Sequence, residues 1–471
     1  MSRLTAIVLS ILALATTQMQ CSSSAGSSFD AAADAAPDVH YVGGEEIFEA
    51  PTPYFDAPSS VAVVRGETVY VPIQDHGVKI TGITNLPPGV TAGAWTVQGL
   101  PLTADANAPI AKAIATITGD SYSQNIMVYV TGRDGSLDPG FGQNGIVGTL
   151  GIAYGISIMS DGRLVVVDGS SSYSSGVVVQ RLMPTGALDT TFGQNGMVTL
   201  GAGYPRSVAV APDGEIAIGC LPLGGVHVYV LAADGTLERT IDQAGEASSG
   251  AWYATMWSGS NVVVMDGFRS DTVDPSNNIV GADLPQIAPY LAAFPTATTR
   301  VMMQGVLNSK PTFTALVPSN GVYTVDATYA DGGTTTFADA YWQGTACAMT
   351  STGELIAQLS VAGASDIVRI ATDGTLDSTW GAQGHVHVTQ APGPLAYLPG
   401  SNCVLVTGGD SKGVTAERLL SDGTMDPTFG YLGSVITATV VGGAFSAAAD
   451  AAETVLYLGG NGWILRYRVH A

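Results

Sequence analysis

The chain has 471 residues, of which 46% are hydrophobic, only 12% are charged and 59 are glycine. So few Lys, Glu and Arg, together with so many turn-forming residues, predict an all-β protein that is long enough to bury a large core. The net charge of −22 would repel a phosphate backbone, so nucleic acid is not an expected partner.

The N-terminus has the pattern of a targeting segment. Arg3 supplies a positive charge before the apolar run LTAIVLSILALA at residues 4–15, which is too short for an ordinary membrane span. The ALA sequence at residues 13–15 fits the small-residue site of a signal peptidase. Alternatively, Cys21 and the SSSAGSSFDAAADAAPD that follows it resemble the start of a mature bacterial lipoprotein, which implies that Cys21 carries lipid.

Both alternatives predict an exported protein. Residues 1–21 are then a signal peptide of the lipoprotein or the secretory type, and residues 22–57, rich in Ser, Ala, Asp and Pro, form a disordered tether. The expected location is the outer membrane of a bacterium, its cell surface or the surrounding medium. A lipid on Cys21 would be the protein's only contact with a membrane.

Residues 58–131 alternate apolar and polar residues between turn signals, as half-buried strands do. The phrase NLPPGVTA at residues 85–92 and the closing IMVYV resemble the small immunoglobulin-like sandwich modules of bacterial surface proteins. The resemblance implies an immunoglobulin-like β-sandwich at 58–131 that acts as a spacer, and we assign it no chemistry.

The rest of the chain is periodic. The motif DGSLDPGFGQNG at residue 134 recurs as TGALDTTFGQNG at 185, DGTLDSTWGAQG at 373 and DGTMDPTFGYLG at 422, with weaker copies at 234, 277 and 320. Pairs of strands joined by short turns, such as ISIMSDGRLVVVDG, occur between the copies, and a third strand follows most pairs. Seven units of three or four strands predict a seven-bladed β-propeller over residues 132–471.

The unit itself is similar to the delta-60 repeat, a family found in large bacterial surface and secreted proteins. The features that carry this resemblance are the strand, the PDG-type hairpin, the second strand and the DGSLDxxFGxxG motif. The resemblance covers residues 132–471 and implies a propeller of delta-60-like repeats.

The repeated motif is predicted to be the crossing from one blade to the next. Gly135 permits a tight turn, the carboxylate of Asp138 accepts from backbone amides two or three residues on, and Leu137 and Phe141 anchor the loop. A calcium-binding loop is the alternative, because Asp-rich loops punctuated by glycine can surround a hard cation.

Ring closure can also be predicted from the two ends of the propeller. The last unit has three strands, and residues 146–150 precede the first innermost strand without a blade of their own. Because open edges lose hydrogen bonds and invite aggregation, we expect residues 146–150 to pair with residues 463–469.

Histidine and cysteine give no clear site. His385 and His387 share one face of a predicted strand but have no further ligand near them in sequence, so an exposed strand is favoured over a metal site. Cys220, Cys347 and Cys403 are expected to be buried free thiols, with one disulfide as the alternative. We expect no metal and no cofactor, and no catalytic motif identifies catalytic residues.

Aromatic residues precede five of the seven predicted innermost strands. They would meet at one mouth of the central channel, either as a hydrophobic plug or as a platform for a sugar or an extended peptide. The candidate ligand-binding residues are Tyr154, Tyr204, Arg206, Trp252, Tyr253, Tyr341, Trp342 and Phe445.

These features favour a non-catalytic protein of the cell envelope that presents the propeller as a binding or scaffold surface. Its ligand would be a protein or a carbohydrate, and we expect a monomer. The alternative is an exported carbohydrate-active enzyme, a lyase or a glycosidase, with its site at the channel mouth. Two carboxylates and an arginine within hydrogen-bonding reach at that mouth would favour the enzyme.

Overall fold

The computed structural model describes most of the chain from residue 39 onward. The described residues are 39–42, 45–48, 53–169, 176–221, 226–243, 254–265, 269–284, 293–295, 300–307, 310–337, 340–341, 346–361, 364–388, 393–410, 413–440 and 442–469. All regular structure in these ranges is β-strand, and no helix in them is long and apolar enough to cross a membrane. The prediction of an all-β protein is confirmed. The predicted signal peptide (residues 1–21), with Cys21, lies outside the described residues.

Three short strands lie in the segment predicted to be a disordered tether, of which the third, β3 (Tyr54–Asp56), belongs to the sheets described next. Strand β1 (Val39–Val42) pairs antiparallel with β2 (Glu45–Phe48). This hairpin belongs to a compact unit separate from the one that starts at Tyr54.

The next nine strands form three sheets around one core. A four-stranded sheet has the order β4-β11-β10-β7, in which β4 and β11 are parallel; β5-β9-β8 form a second sheet, and β3-β6 a third. Phe55, Val63, Leu102 and Val128 are fully buried in the shared core. The bounds are β3 (Tyr54–Asp56), β4 (Ser60–Val64), β5 (Thr68–Val71), β6 (Gln74–His76), β7 (Ile80–Thr84), β8 (Val90–Ala92), β9 (Leu100–Ala104), β10 (Ala111–Gly119) and β11 (Ser123–Thr131).

The remaining strands form consecutive antiparallel sheets, mostly of four strands. Blade A contains the second half of β12 (Ile146–Ile158) with β13 (Leu164–Gly169), β14 (Gly176–Leu182) and β15 (Met197–Ala202). Blade B contains β16 (Tyr204–Val210), β17 (Ile216–Leu221), β18 (Val226–Leu231) and β19 (Leu237–Gln243). Blade C contains β20 (Ala254–Ser258), β21 (Asn261–Met265), β22 (Arg269–Val273) and β23 (Ile279–Asp283).

The later sheets follow the same plan. Blade D contains β24 (Ala293–Pro295), β25 (Val301–Leu307), β26 (Lys310–Ser319), β27 (Val322–Val325) and β28 (Thr334–Thr336). Blade E contains β29 (Ala340–Tyr341), β30 (Cys347–Met349), β31 (Leu355–Val361), β32 (Ala364–Ile370) and β33 (His385–Val388). Blade F contains β34 (Leu395–Leu398), β35 (Cys403–Asp410), β36 (Gly413–Leu419) and β37 (Ser434–Thr437). Blade G contains β38 (Ser446–Ala449), β39 (Val455–Gly459) and β40 (Asn461–Arg468).

The first strands of these blades are arranged in a cycle. Each contacts the corresponding strand of the next blade, in the order β12, β16, β20, β24, β30, β34, β38 and back to β12, where β30 is the second of the two short strands that begin blade E. Consecutive sheets therefore surround a common centre, with these strands innermost.

The predicted closure is confirmed. Ile146 pairs with Leu465, and Gly148 with Trp463, so the first half of β12 is the fourth strand of blade G. The closure extends further than the sequence predicts, because Gly135 and Asp138 also donate their backbone N–H groups to the C-terminal strand, at the carbonyls of Arg468 and Arg466. The first copy of the repeated motif thus completes the last blade.

The repeated motif forms the predicted turn. The backbone N–H of Gly140 donates to Asp138 at 2.9 Å, Phe141 is fully buried, and Gly135 has a positive φ of 80°. At Gly135 a side chain would also collide with the backbone of Gly430, so glycine is required there.

An arginine in the third strand of several blades binds the motif's aspartate and the next blade. In blade F, Arg418 donates hydrogen bonds to Asp426 at 2.7 Å and to the carbonyl oxygen of Val469 in blade G at 2.6 Å. Its guanidinium also lies 5.0 Å from the ring centre of Phe429. Matching arginine–aspartate pairs, each with a hydrogen bond to the following blade, are Arg181–Asp189, Arg369–Asp377 and Arg466–Asp138. In each pair the carboxylate of the motif's aspartate binds an arginine. This structural role is sufficient to explain why the motif contains an aspartate at that position.

The three described cysteines are free and buried, in different blades. Burial raises the pKa of the Cys220 thiol to about 12 and also raises the pKa values of Cys347 and Cys403. The predicted burial is confirmed, and these thiols are poor nucleophiles at neutral pH.

Candidate ligand-binding site

Three of the predicted aromatic residues meet at one end of the innermost strands. Tyr154 lies in β12, Tyr204 is the first residue of β16, and Phe445 immediately precedes β38. The hydroxyl groups of Tyr154 and Tyr204 are 2.6 Å apart and hydrogen bonded. The ring centre of Tyr154 lies 4.7 Å from that of Tyr204 and 5.9 Å from that of Phe445. We call these residues, with Arg206, the aromatic cluster.

Arg206 contributes a positive charge to this cluster. Its guanidinium carbon lies 4.1 Å from the ring centre of Tyr204, within the range of a cation–π contact. The two tyrosines are half-buried, whereas Phe445 is 49% exposed. The cluster thus joins blades G, A and B and leaves one ring face accessible to a ligand.

Of the other four predicted residues, only Tyr341 lies within the described residues. Trp252, Tyr253 and Trp342 lie outside the described residues. Tyr341 ends β29 and pairs with Ser360 of β31 in blade E. The structure thus brings together four of the eight predicted residues.

Sequence analysis missed a buried carboxyl group beside the cluster. Asp168 of β13 is only 1% exposed and pairs in register with Ala153, the neighbour of Tyr154. Its Oδ2 accepts hydrogen bonds from the Gln180 side chain and, at 3.4 Å, from the backbone N–H of Leu150, while Oδ1 has no hydrogen-bond partner in the described structure. Burial raises the pKa of Asp168 to about 6, against the opposing effect of these two bonds. The DG pair that ends the strand VVVDG is the sequence signal that could have drawn attention to it.

The histidine pair also has a partner that its sequence neighbours do not show. Asp366 on β32 lies across from His387 on the outermost strand of blade E, and its two oxygens lie 3.0 Å from Nδ1 of His387 and 3.4 Å from Nδ1 of His385. Across the described ranges, no group of three or more His, Cys, Asp and Glu is arranged to hold a metal ion.

The side chains of the cluster have the chemistry to hold a ligand. Three ring systems, two hydroxyl groups and a guanidinium can stack on a flat ligand and donate hydrogen bonds to it. Burial, and not a second carboxylate, is the main cause of the raised pKa of Asp168.

Comparison with known proteins adds one family match. The model of the family described as "Domain of unknown function (DUF5122) beta-propeller" matches residues 160–192, which span the second and third strands of blade A and the following motif. The fold is all-β and propeller-like. The search of curated proteins finds no match.

Solved propeller structures show only distant similarity to this chain. A streptogramin B lyase is 12% identical, with 68% of this chain and 93% of that chain covered and a TM-score of 0.47. A virginiamycin B lyase from Staphylococcus aureus, solved with quinupristin, is 9% identical, with 69% and 98% covered and a TM-score of 0.46. The WD40 domain of Neurospora crassa Pan2 is 11% identical, with 69% and 94% covered and a TM-score of 0.46.

Proposed function

We propose that the chain is an exported, non-catalytic binding protein of the bacterial cell envelope. Its propeller has seven blades of delta-60-like repeats, and residues 58–131 form an immunoglobulin-like spacer. The blade count is supported by the cycle of innermost strands, which visits blades A to G once each. The immunoglobulin-like assignment is supported by the sheets that share one core.

The aromatic cluster is the observation that carries the binding function. A hydrophobic plug would bury its rings, whereas Phe445 is 49% exposed at the end of an innermost strand. The hydrogen bond between Tyr154 and Tyr204 holds two of the rings in fixed positions. A rigid aromatic surface loses little entropy on binding, so it suits a sugar or an extended peptide.

An array of polysaccharides and peptides, probed with the full chain, tests this function. We expect a ligand whose binding is weakened about tenfold by Phe445→Ala, which removes the exposed stacking surface. Leu432→Ala is the matched control, since Leu432 is 57% exposed but lies in the turn before β37. Equal loss in both variants, or no ligand at all, would contradict the proposal.

The same ligand distinguishes binding from catalysis. Under our proposal, mass spectrometry recovers it unchanged after prolonged incubation with the protein. Cleavage that depends on time and on enzyme concentration would instead support the lyase or glycosidase.

Export and anchoring rest on the N-terminal sequence. If Cys21 carries lipid, Cys21→Ser should move the protein from the membrane fraction to the soluble fraction. Unchanged partitioning would remove the anchor from the proposal and leave secretion.

A further inference from the structure

An open cleft of about 450 Å³ lies between the module of residues 58–131 and blade F. Its walls are Asp56, Pro58, Pro72 and the turn around Trp95 on one side, and Thr439, which follows the last strand of blade F, on the other. The volume falls in the range of about 300–1,000 Å³ typical of small-ligand sites, which are often found at domain junctions.

We propose that this cleft binds an uncharged oligosaccharide, with Trp95 as the stacking platform. The indole of Trp95 is 39% exposed, so it offers an accessible flat face inside the cleft. Sugar rings have apolar C–H faces that pack on such a surface, and the indole N–H can donate a hydrogen bond to a hydroxyl group. This site is separate from the aromatic cluster and does not depend on the function proposed for it.

The polar groups of the cleft match hydroxyl groups. Gln74 and Gln98 each supply an amide that donates and accepts, Thr439 supplies a hydroxyl and Asp56 a carboxylate. Sugar hydroxyl groups also donate and accept, so they can satisfy all four. No lysine or arginine lines the cleft among the described residues, and the net charge is −22, so an anionic sugar would find no counter-charge.

The stacking platform is held rigidly. Thr96 and Gly99 exchange two backbone hydrogen bonds of 3.0 Å, which close the turn that presents Trp95. Gly99 has a φ of 123°, and a side chain there would collide with the carbonyl oxygen of Val71, so the turn packs directly against β5. A fixed turn lowers the entropy lost on binding.

The rest of this wall and the junction are also fixed. Gln124 binds both backbone polar groups of Ala57, at 3.1 and 2.9 Å, which holds the segment before Pro58. The module contacts the propeller through the rings of Tyr129 and Tyr431, whose centres lie 5.2 Å apart. The cleft is therefore formed before a ligand arrives.

Titration of the full chain with cellohexaose, maltohexaose and chitohexaose tests the proposal. At least one should bind, and Trp95→Ala should weaken that binding about tenfold because it removes the stacking face. Gln98→Ala should weaken it as well, which keeps the test valid should Trp95→Ala disturb the turn. Tyr70→Ala is the matched control, since Tyr70 is also 39% exposed and lies in the same module but outside the cleft.

Other outcomes would overturn the inference. The cleft would not be an oligosaccharide site if none of the three sugars bound, or if a proline-rich peptide bound in their place. Trp95 would not be its platform if Tyr70→Ala weakened sugar binding as much as Trp95→Ala, and the preference for an uncharged sugar would be wrong if an acidic hexauronate bound more tightly. Loss of binding in Phe445→Ala without any loss in Trp95→Ala would place the sugar on the aromatic cluster and overturn the cleft site, so failure here and failure of the aromatic cluster are distinguishable.

Discussion

The environment of Asp168 differs from what its sequence neighbours suggest. Its carboxyl group is buried next to the aromatic cluster, its Oδ1 has no partner in the described structure, and its pKa is raised to about 6. Because the folded protein binds this proton more tightly than the unfolded chain does, the contribution of Asp168 to stability is fully present below the unfolded pKa of 3.8 and is lost as the pH rises through about 6.

Replacement of Asp168 should therefore stabilise the protein at neutral pH. Asp168→Asn keeps an acceptor for Gln180 but cannot ionise, so its free energy of unfolding at pH 7.5 should exceed that of the parent by up to about 3 kcal/mol. Denaturant unfolding at pH 3.5 should show little difference, because Asp168 is then protonated. Asp105→Asn, at an exposed carboxylate, is the control. A gain of equal size at both pH values would show that ionisation is not the cause.

The arginine in the third strand of a blade binds groups in the next blade as well as in its own. Arg418 is buried, pairs with Asp426 in its own blade, and donates to the carbonyl of Val469 in the next. Its Nη2 also lies 3.3 Å from Asp134, in the first copy of the motif. One side chain thus joins blade F to the two segments that close the ring, which are the C-terminal segment of blade G and the first copy of the motif.

Loss of this arginine should be costly. Arg418→Met leaves Asp426 buried without its cation, so we expect the free energy of unfolding to fall by about 3–5 kcal/mol. Arg133→Met is the control, because the Arg133–Glu67 pair is largely exposed at Arg133 and should contribute less than about 1 kcal/mol. Similar losses in the two variants, measured by denaturant unfolding, would contradict a special role for Arg418.

The strand pattern was sufficient to predict the elements but not the contacts between them. Short turns such as Ser160-Asp161-Gly162 fix which strands are neighbours, so hairpins like β12–β13 follow from local sequence. The arginine before each turn was also visible in VVVQRL, DIVRIA and TAERLL, but its bond to the next blade depends on how sheets face each other. Asp366 lies about twenty residues from the histidines and only strand pairing brings it to them.

At the scale of the molecule, β40 joins the two ends of the ring. Trp463, Leu465 and Tyr467 pack in the core shared with blade F, whereas Ile464 packs in the core shared with blade A. The backbone of the same strand pairs with β39 on one side and with the first half of β12 on the other. Both interfaces of blade G therefore depend on one strand.

Removal of residues 460–471 should unfold the whole ring and not only blade G. The deletion exposes fully buried residues such as Leu458 of blade G and Leu405 of blade F, and it leaves β12 without the partner for its first half. It also removes Arg466, whose pairing with Asp138 fixes the first copy of the motif. Circular dichroism should show loss of β-structure throughout the propeller. Removal of residues 470–471 alone is the control and should leave the melting temperature unchanged. If hydrogen exchange instead showed protected amides in blades B to E and exchange confined to blade G, closure would contribute only local stability.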